Sequence, residues 1–117
     1  IDNNFIYRTE LEEASSTSIR AIKTAQANSM IKLNSSNWGI RFLNGQCIVY
    51  KGNNFDSRDS SFDITYFLTN NISFSGDTDL NFEIDSGELS SNKTINIFNR
   101  GNKTKTLNIN IYGQIDE

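Results

Sequence analysis

Histidine is absent from this chain of 117 residues, and Cys47 is its single cysteine. The first absence removes the side chain most used as a general base near neutral pH, so Ser-His-Asp and Cys-His sites are excluded, and with it goes the commonest metal ligand. The second rules out an intrachain disulfide and a cysteine-based zinc cage. Cys47 lies in the apolar run Gln46-Cys47-Ile48-Val49-Tyr50, where a buried thiol acting as a small hydrophobe is expected. No stretch of about 18 apolar residues occurs, so the sequence as given contains no expected transmembrane helix. Its opening, Ile1-Asp2-Asn3-Asn4, has neither the basic flank nor the apolar run of a signal peptide. It also lacks an initiating methionine, as a processed protein or an excised domain would. Net positive charge is missing too: a formal charge of −3 gives no general attraction to phosphate backbones or anionic lipid.

What the chain does have is one domain's worth of length and an apolar fraction of 36%, concentrated in Ile, Phe and Tyr. Residues 1–117 are expected to form a single core without help from metal or cofactor. Between residues 5 and 33 there is no Gly or Pro, and Tyr7, Leu11, Ala14, Ser18, Ile22, Ala25 and Ser29 recur at spacings of three and four. That is one stripe of an amphipathic helix. Glu12, Glu13, Arg20, Lys23, Gln26 and Lys32 fall on the other side, acids early and bases late, as the helix macrodipole prefers. The stripe is rich in Ala and Ser, so the helix can lie close on a flat sheet but needs that sheet to be stable.

Asn34-Ser35-Ser36-Asn37 competes for backbone hydrogen bonds and ends the helix, and from about 37 to 115 the periodicity falls to two. Residues 38–43 and 46–51 flank Asn44-Gly45, the signature of a two-residue type I′ hairpin. That register sets Phe42 opposite Cys47 and Ile40 opposite Val49 on the face expected to meet the core, with Arg41 opposite Ile48 and Gly39 opposite Tyr50 on the other. Residues 52–61 read as a polar loop, and short strands follow at 64–68, 72–74, 80–84, 94–98 and 106–112. Alternation of Leu107, Ile109 and Ile111 with Asn108 and Asn110 marks a sheet with one covered and one wet face.

Few residues suggest chemistry. Asp77-Thr78-Asp79 resembles the opening of a calcium loop without the glycine and distal glutamate of an EF-hand, and a solvated turn is the plainer reading. Asp77, Asp79, Glu83, Asp85 and Glu88 are acids that nothing in the sequence pairs in a cleft for acid–base work, so no enzyme and no small-molecule substrate is expected. Lys93, Arg100, Lys103 and Lys105 gather near the C-terminal hairpin, as a local phosphate contact or as a solvated tip without interleaved aromatics. Asn34, Asn71, Asn92 and Asn102 open Asn-x-Ser/Thr triplets, which chance supplies readily in so Asn-rich a chain.

A resemblance runs through the order of these pieces. It is carried by Ala25-Gln26-Ala27-Asn28-Ser29-Met30 at the helix end, the strand Asn37-Trp38-Gly39-Ile40-Arg41-Phe42, and Cys47-Ile48-Val49-Tyr50-Lys51-Gly52. Phe82 followed by Gly87, then Thr94-Ile95-Asn96-Ile97, then Tyr112-Gly113-Gln114-Ile115 complete it. The chain resembles the periplasmic or extracellular part of a type IV pilin or type II secretion pseudopilin, particularly the minor FimT-like and H-type subunits. The resemblance implies an α+β fold with an N-terminal amphipathic helix packed on antiparallel sheet. Leu11, Ala14, Ile22, Ala25, Trp38, Ile40 and Phe42 would hold the helix to the sheet, and the loops at 52–61 and 99–103 would face neighbours or targets.

The implied function is structural: a filament subunit in surface attachment, motility, DNA uptake or protein secretion, with other pilin or pseudopilin subunits as partners. The implied location is a bacterial cell-surface filament, anchored beforehand in the inner membrane through an N-terminal segment. The disulfide usual near the C-terminus of major pilins is missing, which favours a minor subunit. The alternative is a ligand-binding module, a pilus-tip adhesin or DNA-uptake subunit, with Arg100, Lys103 and Lys105 in contact with a surface ligand or DNA. The filament reading predicts about 25 apolar residues encoded directly upstream of Ile1, cleaved after a glycine and methylated. Reading the gene and the mass of the mature N-terminal peptide checks this, and a soluble upstream region counts against it.

Overall fold

A computed structural model describes residues 3–117, so the reading of Ile1 and Asp2 lies outside the described residues. Among the described residues one long helix, α1 (Asn3–Met30), leads into eight strands: β1 (Trp38–Leu43), β2 (Gln46–Lys51), β3 (Ile64–Phe67), β4 (Ser73–Gly76), β5 (Asp79–Phe82), β6 (Lys93–Phe98), β7 (Thr104–Ile109) and β8 (Ile115–Asp116). They form two antiparallel four-stranded sheets, ordered β3-β2-β1-β5 and β4-β6-β7-β8. The helix lies against both.

The small-residue stripe is the buried side of α1. Leu11, Ala14, Ser18, Ile22, Ala25 and Ser29 are buried, Tyr7 is half-buried, and Ser15 and Ala21 widen the seam. Gln26 departs from the pattern expected of it: instead of facing water, its Nε2 donates to the carbonyls of Gly87 at 3.0 Å and Tyr112 at 2.8 Å. Gly113, at φ 83°, leaves the space that amide occupies, since a side chain there would collide with it. The expected dipole compensation is also absent, for the first turn holds no acid and the last no base.

Tertiary bonding ends α1 instead, three residues before the position expected. The Asp85 N–H donates to the Ser29 carbonyl at 2.9 Å, and Lys32 enters the left-handed region at φ 56°, a common way for a helix to stop. Ser29 itself is fully buried. Its Oγ accepts from the Trp38 N–H at 2.8 Å and donates to the Phe82 carbonyl at 3.1 Å, fastening the helix end to β1 and β5 together.

The first hairpin has the expected register, Phe42 opposite Cys47, Ile40 opposite Val49, Arg41 opposite Ile48 and Gly39 opposite Tyr50. Its turn is not type I′, because Gly45 (φ 74°) has a positive φ and Asn44 does not. The cause is a clasp from outside the hairpin. The Gly45 N–H donates to the Ile72 carbonyl at 3.0 Å, and the Gly45 carbonyl accepts from the Leu68 N–H at 2.8 Å.

From β4 the chain crosses between sheets in two residues. The Asp77 N–H donates to the Thr94 carbonyl and the Thr94 N–H returns a bond to Asp77 Oδ2, both at 2.9 Å, while the Phe42 N–H donates to the Thr78 carbonyl at 2.8 Å. Phe42 and Phe74 stack across the same junction with ring centroids 4.9 Å apart. The last expected strand is shorter than its alternation suggested: β7 stops at Ile109, and Asn110 Oδ1 accepts from the N–H groups of Tyr112 and Gln114 at 3.0 Å to turn the chain back as β8. Asn side chains commonly bond backbone two residues on in this way.

Replacing Ser29 by Ala removes the buried hydroxyl that bonds both the Trp38 N–H and the Phe82 carbonyl. Unfolding free energy is expected to fall by about 2 kcal/mol, against less than about 0.5 kcal/mol for Ser57→Ala on the exposed loop, as measured by urea denaturation.

Candidate interaction surfaces

The residues expected to join helix and sheet, Leu11, Ala14, Ile22, Ala25, Trp38, Ile40 and Phe42, all lie in one core cluster. The basic residues of the C-terminal hairpin separate. Lys93 opens β6 at the end away from the turn. Arg100 and Lys103 are exposed on the turn itself. Lys105 is half-buried, with Nζ 2.8 Å from Glu117 Oε2, and the bond from Lys105 holds the Glu117 carboxyl below its usual range.

That turn is less free than a solvated tip. Asn99 is buried, its Oδ1 accepting from the N–H groups of Gly101 and Lys103 at 3.0 Å and its Nδ2 donating to the Tyr7 carbonyl of α1 at 2.6 Å. The turn therefore buttresses the N-terminal half of the helix. The two acids of Asp77-Thr78-Asp79 are engaged with different sheets, Asp77 with Thr94 and Asp79 with Arg41 and Tyr50.

The loop at 52–61 is the largest departure from expectation. Its one aromatic, Phe55, folds onto the second face of the hairpin, 5.4 Å from the Tyr50 ring centroid. The guanidinium of Arg41 sits 4.5 Å from the Phe55 centroid and that of Arg58 3.8 Å, an arrangement that favours both cations. Arg58 in turn pairs with Asp63 at 2.9 Å.

Beneath this lid runs a polar chain. Arg41 Nε donates to Asp79 Oδ2 at 2.9 Å, Tyr50 OH donates to Asp79 Oδ1 at 2.6 Å, and Asn81 Nδ2 reaches the Gly52 carbonyl at 2.9 Å. Burial, then the bond to Asp79, pushes the Tyr50 hydroxyl above its ordinary value. Gly39 makes room, for a Cβ there would meet the Tyr50 hydroxyl at 2.5 Å. The second face of the hairpin is thus covered over Tyr50, while Thr65 and Phe67 of β3, on the same face, stay exposed. The signal for this was present in Phe55, the lone apolar residue of the loop.

Cys47 is fully buried, with Sγ 3.9 Å from Ser18 Oγ. Burial pushes its thiol up from 9.0 to about 12, so it is inert as a nucleophile at neutral pH.

Among the described residues, besides Ile6, Phe62 and Tyr112, exposed apolar side chains gather at Met30, Ile31 and Leu33 at the helix end and at Ile64 and Phe67 on β3. Along α1, Glu12, Glu13, Ser16, Arg20, Lys23 and Ala27 stay exposed.

A long N-terminal helix laid over antiparallel sheets is the pilin-like α+β fold. No family model and no curated protein matches the sequence. The structure is similar to that of the minor pseudopilin EpsH from the type 2 secretion system of Vibrio cholerae, with a TM-score of 0.64 over 92% of this chain and 94% of that one, at 11% identity. The likeness is one of fold.

A thiol whose folded-state pKa is raised keeps its stabilising contribution below the unfolded value and loses it as pH climbs toward the folded one. Stability is therefore expected to fall between pH 9 and about 12, with Tyr50 contributing in the same direction above its ordinary value of 10.0. Thiol titration at pH 8 should find Cys47 unreactive until urea is added, and prompt labelling of the folded protein would contradict the buried placement.

Proposed function

We propose that the chain is the head domain of a filament subunit, a minor pilin or pseudopilin without catalytic activity. Its partners would be other subunits of the same filament, reached along the exposed side of α1. The support is the fold likeness to a minor pseudopilin over nearly the whole chain, together with a helix of 28 residues that buries one narrow seam and leaves the opposite side open. No helix among the described residues is long and apolar enough to cross a membrane. Anchoring in the inner membrane before assembly would fall to a segment upstream of Ile1.

The alternative role, recognition of DNA or another surface ligand through Arg100, Lys103 and Lys105, draws less support from the geometry. One of the three charges is already neutralised by Glu117, and the fold carries net negative charge.

Because Cys47 is buried, cysteines introduced at exposed helix positions would be the reactive thiols. Full-length protein carrying Glu12→Cys and Lys23→Cys, expressed in its own host, is expected to form disulfide-linked oligomers under mild oxidant. A strictly monomeric product, with filaments and secretion unchanged on deletion of the gene, would sink the filament reading.

A further inference from the structure

Sheet edges present unpaired backbone groups, and proteins normally blunt them. Here the edges are unequal. β8 is two residues long, and β4 ends in Gly76 at φ 87°, which twists its backbone away from a regular ladder. Among the described edge strands, only β3 carries exposed large hydrophobics, Ile64 at 39% and Phe67 at 78%. Its sequence, Ile64-Thr65-Tyr66-Phe67, is β-branched or aromatic throughout, with neither Lys nor Pro to discourage pairing.

The direction of its free groups follows from the ladder. The Leu68 N–H donates to the Gly45 carbonyl, and Phe67 stands opposite Gln46, so Phe67 belongs to a non-hydrogen-bonded pair. Thr65, two residues away, shares that orientation. The N–H and carbonyl groups of both residues therefore face away from β2, and only another extended backbone matches their spacing.

A cavity of about 200 Å³ lies at the C-terminal end of this edge, between β3 and α1. Phe67, Leu68 and Ile72 are apolar residues of its lining, and Glu10 and Glu13 line it from the helix. Glu10 Oε2 accepts from Thr69 Oγ1 and Asn71 Nδ2 at 3.3 Å. Glu10 Oε1 is buried and has no hydrogen-bond partner among the described residues, a costly state for a carboxylate oxygen. A lining that combines apolar residues with two glutamates fits a long cationic side chain, with methylenes against the former and charge at the acids.

We propose that the β3 edge and this cavity together form a docking site for an extended polypeptide segment. The segment adds as a fifth strand to the sheet β3-β2-β1-β5, covers Phe67, and places a lysine or arginine side chain between Glu10 and Glu13. The site stands independently of the filament reading.

The probe is an acetylated, amidated heptapeptide of alternating valine and threonine with one central lysine, compared with a twin bearing norleucine at the centre. On titration into the folded chain, followed by amide NMR, the largest shifts are expected at residues 65–67. Thr65→Pro should abolish binding, since the N–H it removes faces away from β2 and the β2–β3 pairing is retained. Phe67→Asp, at an exposed position, should do the same and guards against a folding defect in the first variant. Glu13→Gln should weaken the lysine peptide roughly fivefold and leave the norleucine peptide unchanged. Residues 65–67 unmoved at millimolar peptide, binding that survives both β3 variants, or equal affinity for the two peptides would each overturn the proposal.

Discussion

Close approach of the helix to its sheets is the constraint on which this fold rests. A 28-residue helix spans roughly 42 Å, and along that length its buried seam is made mostly of Ala and Ser. Such side chains bury little area each, so the seam cannot hold by apolar contact alone. Proximity supplies the rest. At short range the helix can exchange hydrogen bonds with the sheets, and it does so at intervals: Asn99 to the Tyr7 carbonyl near one end, Gln26 to two loop carbonyls, and Ser29 to both Trp38 and Phe82 at the other. Each contact needs a backbone within reach of a short side chain, which a seam of Leu or Phe would have held too far away. Ile22 and Leu11 are the larger buried side chains of the seam.

The polar lid on the opposite side of the hairpin follows a related logic. Tyr50, Asp79 and Arg41 lie beside residues 52–63, where a buried phenol is tolerable because the half-buried Asp79 carboxylate accepts its proton. The cations flanking Phe55 hold the loop down without a large apolar patch. With the loop over Tyr50 on this face and the helix on the other, the β3 side of the hairpin sheet is what remains open.

The hairpin register was legible because Asn44-Gly45 and the apolar alternation on both sides agreed, and local signals that agree leave few alternatives. The identity of the turn was not, since the bonds from Leu68 and Ile72 that reshape it come from more than 20 residues away. The helix seam could be read from spacing; its end could not, because Asp85 closes it. Gln26 looked like a surface residue from periodicity alone, and its role depends on Gly87 and Gly113, which become its neighbours only after folding. Ile111 prolonged the alternation of β7 past the point where Asn110 turns the chain. The basic residues near the last hairpin were adjacent in sequence but divided in space, because strand pairing sends Lys93 to one end and Glu117 claims Lys105.

The crossing at Asp77 and Thr78 bears on how the domain would respond to force. Those two residues join the sheets covalently, while Phe42 and Thr94 lock them from either side by backbone bonds. A pull along the helix axis would reach both sheets through the seam in shear, loading many short contacts at once instead of opening them in sequence. Neither sheet can yield without straining the other, so the domain would transmit tension as one stiff body and give way all together.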